Sequence, residues 1–100
     1  MFCVIRRHKI DPADVDEVMR IVSDEYVPLV RETPGLVAYY NIHAGEGVIV
    51  GVSIYDNPAS ARRANLNTAN WVNKRLDELV PEPPEIMAGE VMVCIDPESG

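Results

Sequence analysis

Two histidines, His8 and His43, are the only side chains of this 100-residue chain whose unperturbed pKa lies near neutral pH. Either is therefore a candidate general base, although both fall near the ends of predicted strands, where side chains are easily exposed. They do not suggest a metal site, since no third histidine, cysteine or carboxylate stands beside them at a ligand spacing. No serine or cysteine nucleophile has a supporting motif either, so the catalytic residues stay unassigned.

The single tryptophan, Trp71, falls midway along a predicted helix and offers a flat wall for an aromatic ligand. Ordinary core packing is the alternative, because a large indole usually fills space. Asparagines surround it, although asparagine is an indifferent helix former. One or two of them are candidates for hydrogen bonds to a ligand, and solvated side chains are the alternative. The four asparagines are Asn65, Asn67, Asn70 and Asn73.

Tyr39 and Asn41 share one face of a predicted strand, and Tyr40 lies on the opposite face. One tyrosine should therefore face the helices and the other an interface between subunits, although alternation alone does not say which. A phenol hydroxyl in a cavity can donate to a ligand. In a core or an interface it would instead bond within the protein.

The composition argues against several classes of partner. A net charge of -7 repels phosphate backbones, so we expect no nucleic acid partner. The densest basic cluster, residues 6–9, sits at a strand end, where it either binds an anion or is solvated. No apolar run approaches the ~20 residues of a membrane-spanning helix. Without a signal-peptide pattern, we expect a cytoplasmic protein with no membrane association.

The order of elements predicts how these side chains are positioned. Asp11 should cap a first helix, Pro28 should kink or end its last turn, and Asp56-Asn57-Pro58 should open a second helix. The predicted strands cover residues 2–7, 36–43, 48–55 and 91–95.

The order β-α-β-β-α-β predicts a ferredoxin-like α+β fold, with a four-stranded antiparallel sheet and both helices on one face. We expect one domain over residues 1–96, followed by a frayed tail at 97–100. Strands one and four would be antiparallel neighbours, so Cys3 and Cys94 could lie near each other. They would be two small buried residues or a redox pair.

The third predicted strand, residues 48–55, carries no charge on either face. A strand with one face in water should alternate apolar and polar residues. Two helices cover roughly one face of a four-stranded sheet, so the other face needs a different cover. A second copy of the chain is the simplest one, and we predict a homodimer through the sheet face.

Several of these segments together resemble the antibiotic biosynthesis monooxygenase-like (ABM-like) branch of the dimeric α/β-barrel superfamily. Most of them are turns, caps and core residues, and they extend over nearly the whole domain. The similarity lies in residues 26–28, 34–36, 39–40, the hairpin at 44–47, 53–57, 71–72 and 89–91.

The resemblance implies a homodimer with a small apolar cavity in each subunit. Family enzymes include monooxygenases that oxidise phenols without metal or flavin, and haem-degrading oxygenases. The helical histidine of the haem-degrading members has no counterpart here, since residues 72–84 contain no histidine. This departure from the family pattern argues against haem chemistry. We expect no cofactor and no metal.

On this resemblance, we expect a cofactor-independent monooxygenase that acts on or binds a small phenol- or quinol-like molecule. Trp71 would form a wall of its site, and Tyr39, Asn41 and Asn70 would make polar contacts. The alternative is a non-catalytic dimeric module that binds a small molecule or serves a stress-related role. Isomerase or decarboxylase chemistry, which also occurs in this superfamily, is a third possibility.

Overall fold

Four strands form one antiparallel sheet in a computed structural model that describes residues 1–95. They are β1 (Phe2–Lys9), β2 (Leu36–His43), β3 (Val48–Tyr55) and β4 (Glu85–Glu90). Their order across the sheet is β2-β3-β1-β4, and the helices pack on one face. The predicted ferredoxin-like α+β fold is confirmed. The predicted tail at 97–100 lies outside the described residues.

The helical segment between β1 and β2 begins at Asp11, whose carboxylate accepts the Ala13 N–H at 2.9 Å. The helical segment does not end at Pro28 but continues to Arg31, and a π-helical turn ends at Tyr26, two residues before the proline. Proline has no N–H for the carbonyl four residues earlier, and a widened turn accommodates that loss. After a short 3-10 turn, the segment consists of α1 (Val15–Ile21), the π-helical turn (Val22–Tyr26) and α2 (Val27–Arg31).

The helix α3 (Pro58–Arg75) begins at Asn57, whose side-chain oxygen caps it. On the face turned to the sheet, Ala61 and Ala64 are buried, and their small side chains allow the helix to approach the strands closely. Farther along the helix, Trp71 is only half-buried and lines a cavity.

A bulge in β2 determines which side chains of that strand face the helices. Leu36 pairs with Tyr55, and the next paired residue is Ala38, so Val37 is an extra residue in the ladder. Because of this shift, Leu36 and Tyr39 both lie on the helix-covered inner face of the sheet. Tyr39 therefore faces the helices and Tyr40 the outer face, which settles the choice that alternation left open.

The centre of the outer face of the sheet is apolar, and Arg7 and Glu85 lie at one end of that face. The core clusters of residues 1–95 draw no strand residue from it. Tyr40 is 58% exposed and Met87 is 72% exposed. Between them, the outward residues of β3 and the neighbouring Ile5 are half-exposed and uncharged. The outward residues of β3 are Val48, Val50, Val52 and Ile54.

The fourth strand was wrongly predicted over residues 91–95. It is β4, residues 85–90, which pairs with β1 from Arg7 opposite Glu85 to Phe2 opposite Glu90. The Val91 N–H still bonds to the Met1 carbonyl, and β1 then offers no further partner. The apolar run 91–95 has high β propensity, but the register leaves it no neighbouring strand within residues 1–95.

This register also changes the expected neighbour of Cys3. Its cross-strand partner is Gly89, and Cys94 is exposed beyond the end of the sheet. Both thiols are free. The predicted proximity of the two cysteines rested on the wrong strand.

Candidate functional site

A cavity of about 60 Å³ lies between the inner face of the sheet and the helices. Core side chains form its apolar floor, and the remaining walls are aromatic or polar. No aspartate or glutamate of residues 1–95 lines it. The polar lining residues are Arg6, His8, Asn41, Ser53 and Thr68, and the aromatic ones are Tyr26, Tyr39 and Trp71.

Tyr26 is the centre of the aromatic wall. Its ring centroid lies 4.8 Å from that of Trp71, with 42° between the planes, and 5.7 Å from that of Tyr39 in an edge-to-face arrangement. The Tyr26 hydroxyl oxygen is 2.6 Å from that of Thr68, which fixes the ring against α3. Because Tyr26 ends the π-helical turn, the widened backbone positions this ring. The three rings together present flat apolar surface to the cavity.

Tyr39 and Asn41 are joined by a hydrogen bond along the inner face of β2. The Asn41 Nδ2 donates to the Tyr39 hydroxyl oxygen at 2.9 Å. Burial raises the pKa of Tyr39 to about 12, so its phenol is protonated at neutral pH. The Asn41 Oδ1 is buried and accepts no hydrogen bond from residues 1–95.

Arg6 brings a charge into the cavity. It is only 8% exposed, and its Nη1 donates to the Asn65 Oδ1 on α3. Its Nε is buried and makes no hydrogen bond within the described residues. Burial also lowers the pKa of Arg6, because a guanidinium loses hydration inside the protein.

His8 lies two residues further along β1 and lines the same cavity. Burial lowers its pKa to about 4, and the neighbouring Arg6 charge adds to this effect. The imidazole is therefore neutral at pH 7. Its Nδ1 is buried and has no hydrogen-bond partner in residues 1–95.

A larger groove of about 310 Å³ adjoins the cavity on the side of α2. Tyr26, Thr68 and Trp71 line both spaces, so they form the partition between them. A ligand longer than the inner cavity would extend into this groove if the Trp71 or Tyr26 ring rotated.

Comparison of the sequence with protein-family models and with curated proteins finds no match. Solved structures do match. NE2512 of Nitrosomonas europaea, of unknown function, has a TM-score of 0.81 and 19% identity, over 96% of this chain and 93% of its own. The monooxygenase ActVA-Orf6 of Streptomyces coelicolor, in complex with nanaomycin D, has a TM-score of 0.77 and 17% identity, and the match covers 96% of this chain and 91% of that protein. An antibiotic biosynthesis monooxygenase has a TM-score of 0.75 and 17% identity, and the match covers 93% of this chain and 100% of that protein. This chain has the antibiotic biosynthesis monooxygenase (ABM) fold.

Three of the four side chains predicted as ligand contacts come together in this ABM fold. Trp71, Tyr39 and Asn41 all line the inner cavity. Asn70 is exposed on α3 and lines neither the cavity nor the groove, because its position on the helix points away from the sheet. The exposed His43 is also absent from the walls of both spaces.

Two residues of the cavity, Arg6 and His8, were not among the ligand contacts predicted from the sequence. Arg6 and His8 belong to the basic cluster at the end of β1, for which both anion binding and solvation stayed open, and His8 was also a candidate general base. Their parity with the buried Val4 was the available signal, since residues two apart share a face of a strand. Among the asparagines of α3, Asn65 accepts a hydrogen bond from the cavity residue Arg6, and Asn67 lines the adjoining groove.

No group of three or more His, Cys, Asp or Glu side chains within residues 1–95 is arranged as a metal site. In the same part of the chain, none of the helices has both the length and the apolar character needed to cross a bilayer.

Proposed function

We propose that this chain binds a small phenol- or quinol-like molecule in the inner cavity and oxidises it as a cofactor-independent monooxygenase. The observation that carries the proposal is that three residues lining one aromatic-walled cavity each carry a buried polar atom without a hydrogen-bond partner in residues 1–95. These atoms are the Arg6 Nε, the His8 Nδ1 and the Asn41 Oδ1. Buried polar atoms are normally hydrogen-bonded, so these atoms suit the polar groups of a ligand. The ABM fold shared with a monooxygenase adds support.

In this reaction the substrate itself would supply the electrons that reduce O₂. A phenol that reacts with O₂ at the position para to its hydroxyl gives a quinone and water. One oxygen atom becomes the new carbonyl and the other leaves as water, while the phenol ring loses the four electrons that O₂ gains. The protein must deprotonate and orient the ring and exclude bulk water.

The cavity residues suit these tasks. The neutral His8 imidazole can accept the phenol proton through its free nitrogen, and the Arg6 guanidinium would stabilise the resulting phenolate. A phenolate beside His8 would also raise the low pKa of that imidazole and make it a better base. Tyr26 and Trp71 would hold the ring, and Asn41 would accept a hydrogen bond from a second hydroxyl.

We further propose that two copies of the chain pack through their outer sheet faces. The uncharged outward residues of β3 and the exposed Tyr40 support this arrangement, since monomeric proteins rarely expose a large contiguous apolar patch. The cavity lies on the opposite face of the same sheet, so dimerisation would stiffen its floor.

A second candidate function is a dimeric module that binds a small molecule without turning it over. The size of the inner cavity favours it, because Trp71 and Tyr39 themselves occupy much of the space and leave about 60 Å³. A bicyclic phenol fits only if these rings move towards the adjoining groove.

Fluorescence and oxygen uptake, measured together, separate the two functions. Trp71 is the only tryptophan, so its emission reports directly on the cavity. We expect phenols and quinols of one or two rings to change this emission, and the enzyme to consume one O₂ for each quinone formed. Binding without oxygen uptake would contradict the monooxygenase and support the non-catalytic binding module. Unchanged emission across the whole panel would contradict both functions.

A matched pair of variants locates the site. Asn41→Leu removes the unpartnered oxygen from the cavity, and we expect it to weaken binding at least tenfold. Asn73→Leu makes the same change on the exposed surface of α3 and should leave binding unchanged. Equal effects of the two substitutions would place the ligand elsewhere.

A further inference from the structure

The charge of Arg6 has no counter-charge among the described residues. The ion pairs in residues 1–95 involve Arg7, Arg20 and Arg75, and none involves Arg6. The chain has 16 acidic residues, yet no aspartate or glutamate of the described part lines the cavity. Buried charges in proteins are normally paired, because an isolated one loses its hydration without compensation. An apolar side chain of similar length would fill the same space without that loss.

The hydrogen bond to Asn65 engages only one edge of the Arg6 guanidinium. Nη1 is held by the neutral Asn65 amide oxygen, which fixes the plane of the group. The Nε on the other edge is buried and unpartnered, and Nη2 lies beside it as a second donor. Two parallel N–H groups of this kind match the oxygens of an anion better than a single neutral oxygen.

We infer that Arg6 binds a negatively charged oxygen of the ligand, so the cavity selects aromatic anions over neutral molecules of the same shape. The inference rests on the proposed function, because it names the charge of the molecule that the aromatic walls hold. The oxyanion is either a carboxylate or a phenolate on the ring, since both present the same acceptor to the guanidinium edge. The ring itself would lie against Tyr26 and Trp71.

Matched anionic and neutral ligands test this selectivity on the unmodified protein. Isothermal titration calorimetry compares 2-naphthoate with 2-naphthamide and, at mildly alkaline pH, 4-nitrophenolate with 4-nitroanisole. We expect at least one anion to bind roughly ten to a hundred times more tightly than its neutral partner, the range for hydrogen bonds to charged groups. The pair with the larger difference identifies carboxylate or phenolate as the preferred oxyanion.

Substitution of Arg6 tests whether this residue causes the selectivity. Arg6→Met should abolish the preference for the anion, and Arg6→Lys should retain part of it. Arg7→Met is the matched control, because Arg7 lies on the outer face beside Glu85. It should keep the full preference. If Arg6 were purely structural, Arg6→Met would lower the melting temperature, whereas we expect that temperature to stay the same or rise.

The outcomes separate this inference from the proposed function. Equal binding of anion and neutral partner, or a preference that persists in Arg6→Met, would overturn the role of Arg6 and leave the aromatic site intact. Binding of none of the four ligands would overturn both. If Arg6→Met does not fold, the comparison on the unmodified protein and the Arg6→Lys variant still decide the question.

Discussion

Single residues determine the character of this site, because a few polar side chains stand on an otherwise apolar inner face. Arg6, His8 and Asn41 each carry a buried atom with no partner in residues 1–95. Each of these atoms has lost hydration without gaining a protein hydrogen bond, which costs stability. The cavity is therefore a place where the folded chain is less stable than an apolar one would be, as is common at binding sites.

The pKa of His8 gives a prediction for stability against pH. It is about 4 in the folded protein and near 6.5 when unfolded, so the unfolded chain binds more protons between these values. We expect the free energy of unfolding to fall as the pH is lowered from about 6.5 to about 4. Urea titrations across this window should show that His8→Gln loses most of this dependence. His43→Gln, at an exposed position, should behave like the unmodified protein; a reversed result would contradict the burial of His8.

At the scale of elements, backbone irregularities place the functional side chains. The bulge in β2 turns Tyr39 and Asn41 inward, and the π-helical turn before Pro28 directs Tyr26 towards Trp71. Neither irregularity follows from alternation or helical periodicity, which assume regular geometry. Their consequences at the site, the orientation of Tyr39 above all, were therefore not predictable from the sequence.

What was predictable were the elements with strong local signals. The caps at Asp11 and Asn57 and the β-α-β-β-α-β order of the elements gave the correct fold class. The fourth strand was wrongly predicted at residues 91–95 because their β propensity is high. Strand pairing is instead limited by the length of β1, whose first residue, Phe2, pairs with Glu90. The burial of Arg6 was not predicted for a related reason, since it depends on α3 covering that part of β1.

The hairpin between β2 and β3 allows a test at this scale. Gly45 and Gly47 both have positive φ, but an added Cβ at Gly47 would lie 2.0 Å from the Ile10 carbonyl oxygen, whereas Gly45 faces open space. We expect Gly45→Ala to lower the free energy of unfolding by about 1 kcal/mol, from backbone strain alone. Gly47→Ala should lower it by about 3 kcal/mol or more, because strain and the clash combine. Equal losses in chemical denaturation would contradict this hairpin geometry.

At the scale of the whole molecule, the two faces of the sheet have different environments. Its inner face carries the cavity, and its outer face is apolar at the centre and uncovered within residues 1–95. A domain of about 100 residues buries only some 60–70% of its unfolded surface, so a second subunit on the outer face would add substantially to its stability.

Val52→Lys tests the proposed dimer. Val52 lies at the centre of the outer face, between Ile5 and Tyr40 on the flanking strands. A buried charge there should convert the dimer into a monomer, which light scattering after gel filtration detects. Leu66→Lys is the matched control, because Leu66 is 67% exposed on α3, away from that face. An unmodified protein that is monomeric at micromolar concentration would contradict the dimer.

The central claim is that an aromatic molecule binds between the sheet and the helices. A crystal structure of the protein with 2-naphthoate tests it most directly. We predict that the ring stacks against Tyr26 and Trp71 with its carboxylate on Arg6, and that Trp71 has rotated towards the adjoining groove. A naphthoate bound outside an unchanged cavity, or no bound naphthoate at saturating concentration, would contradict the account.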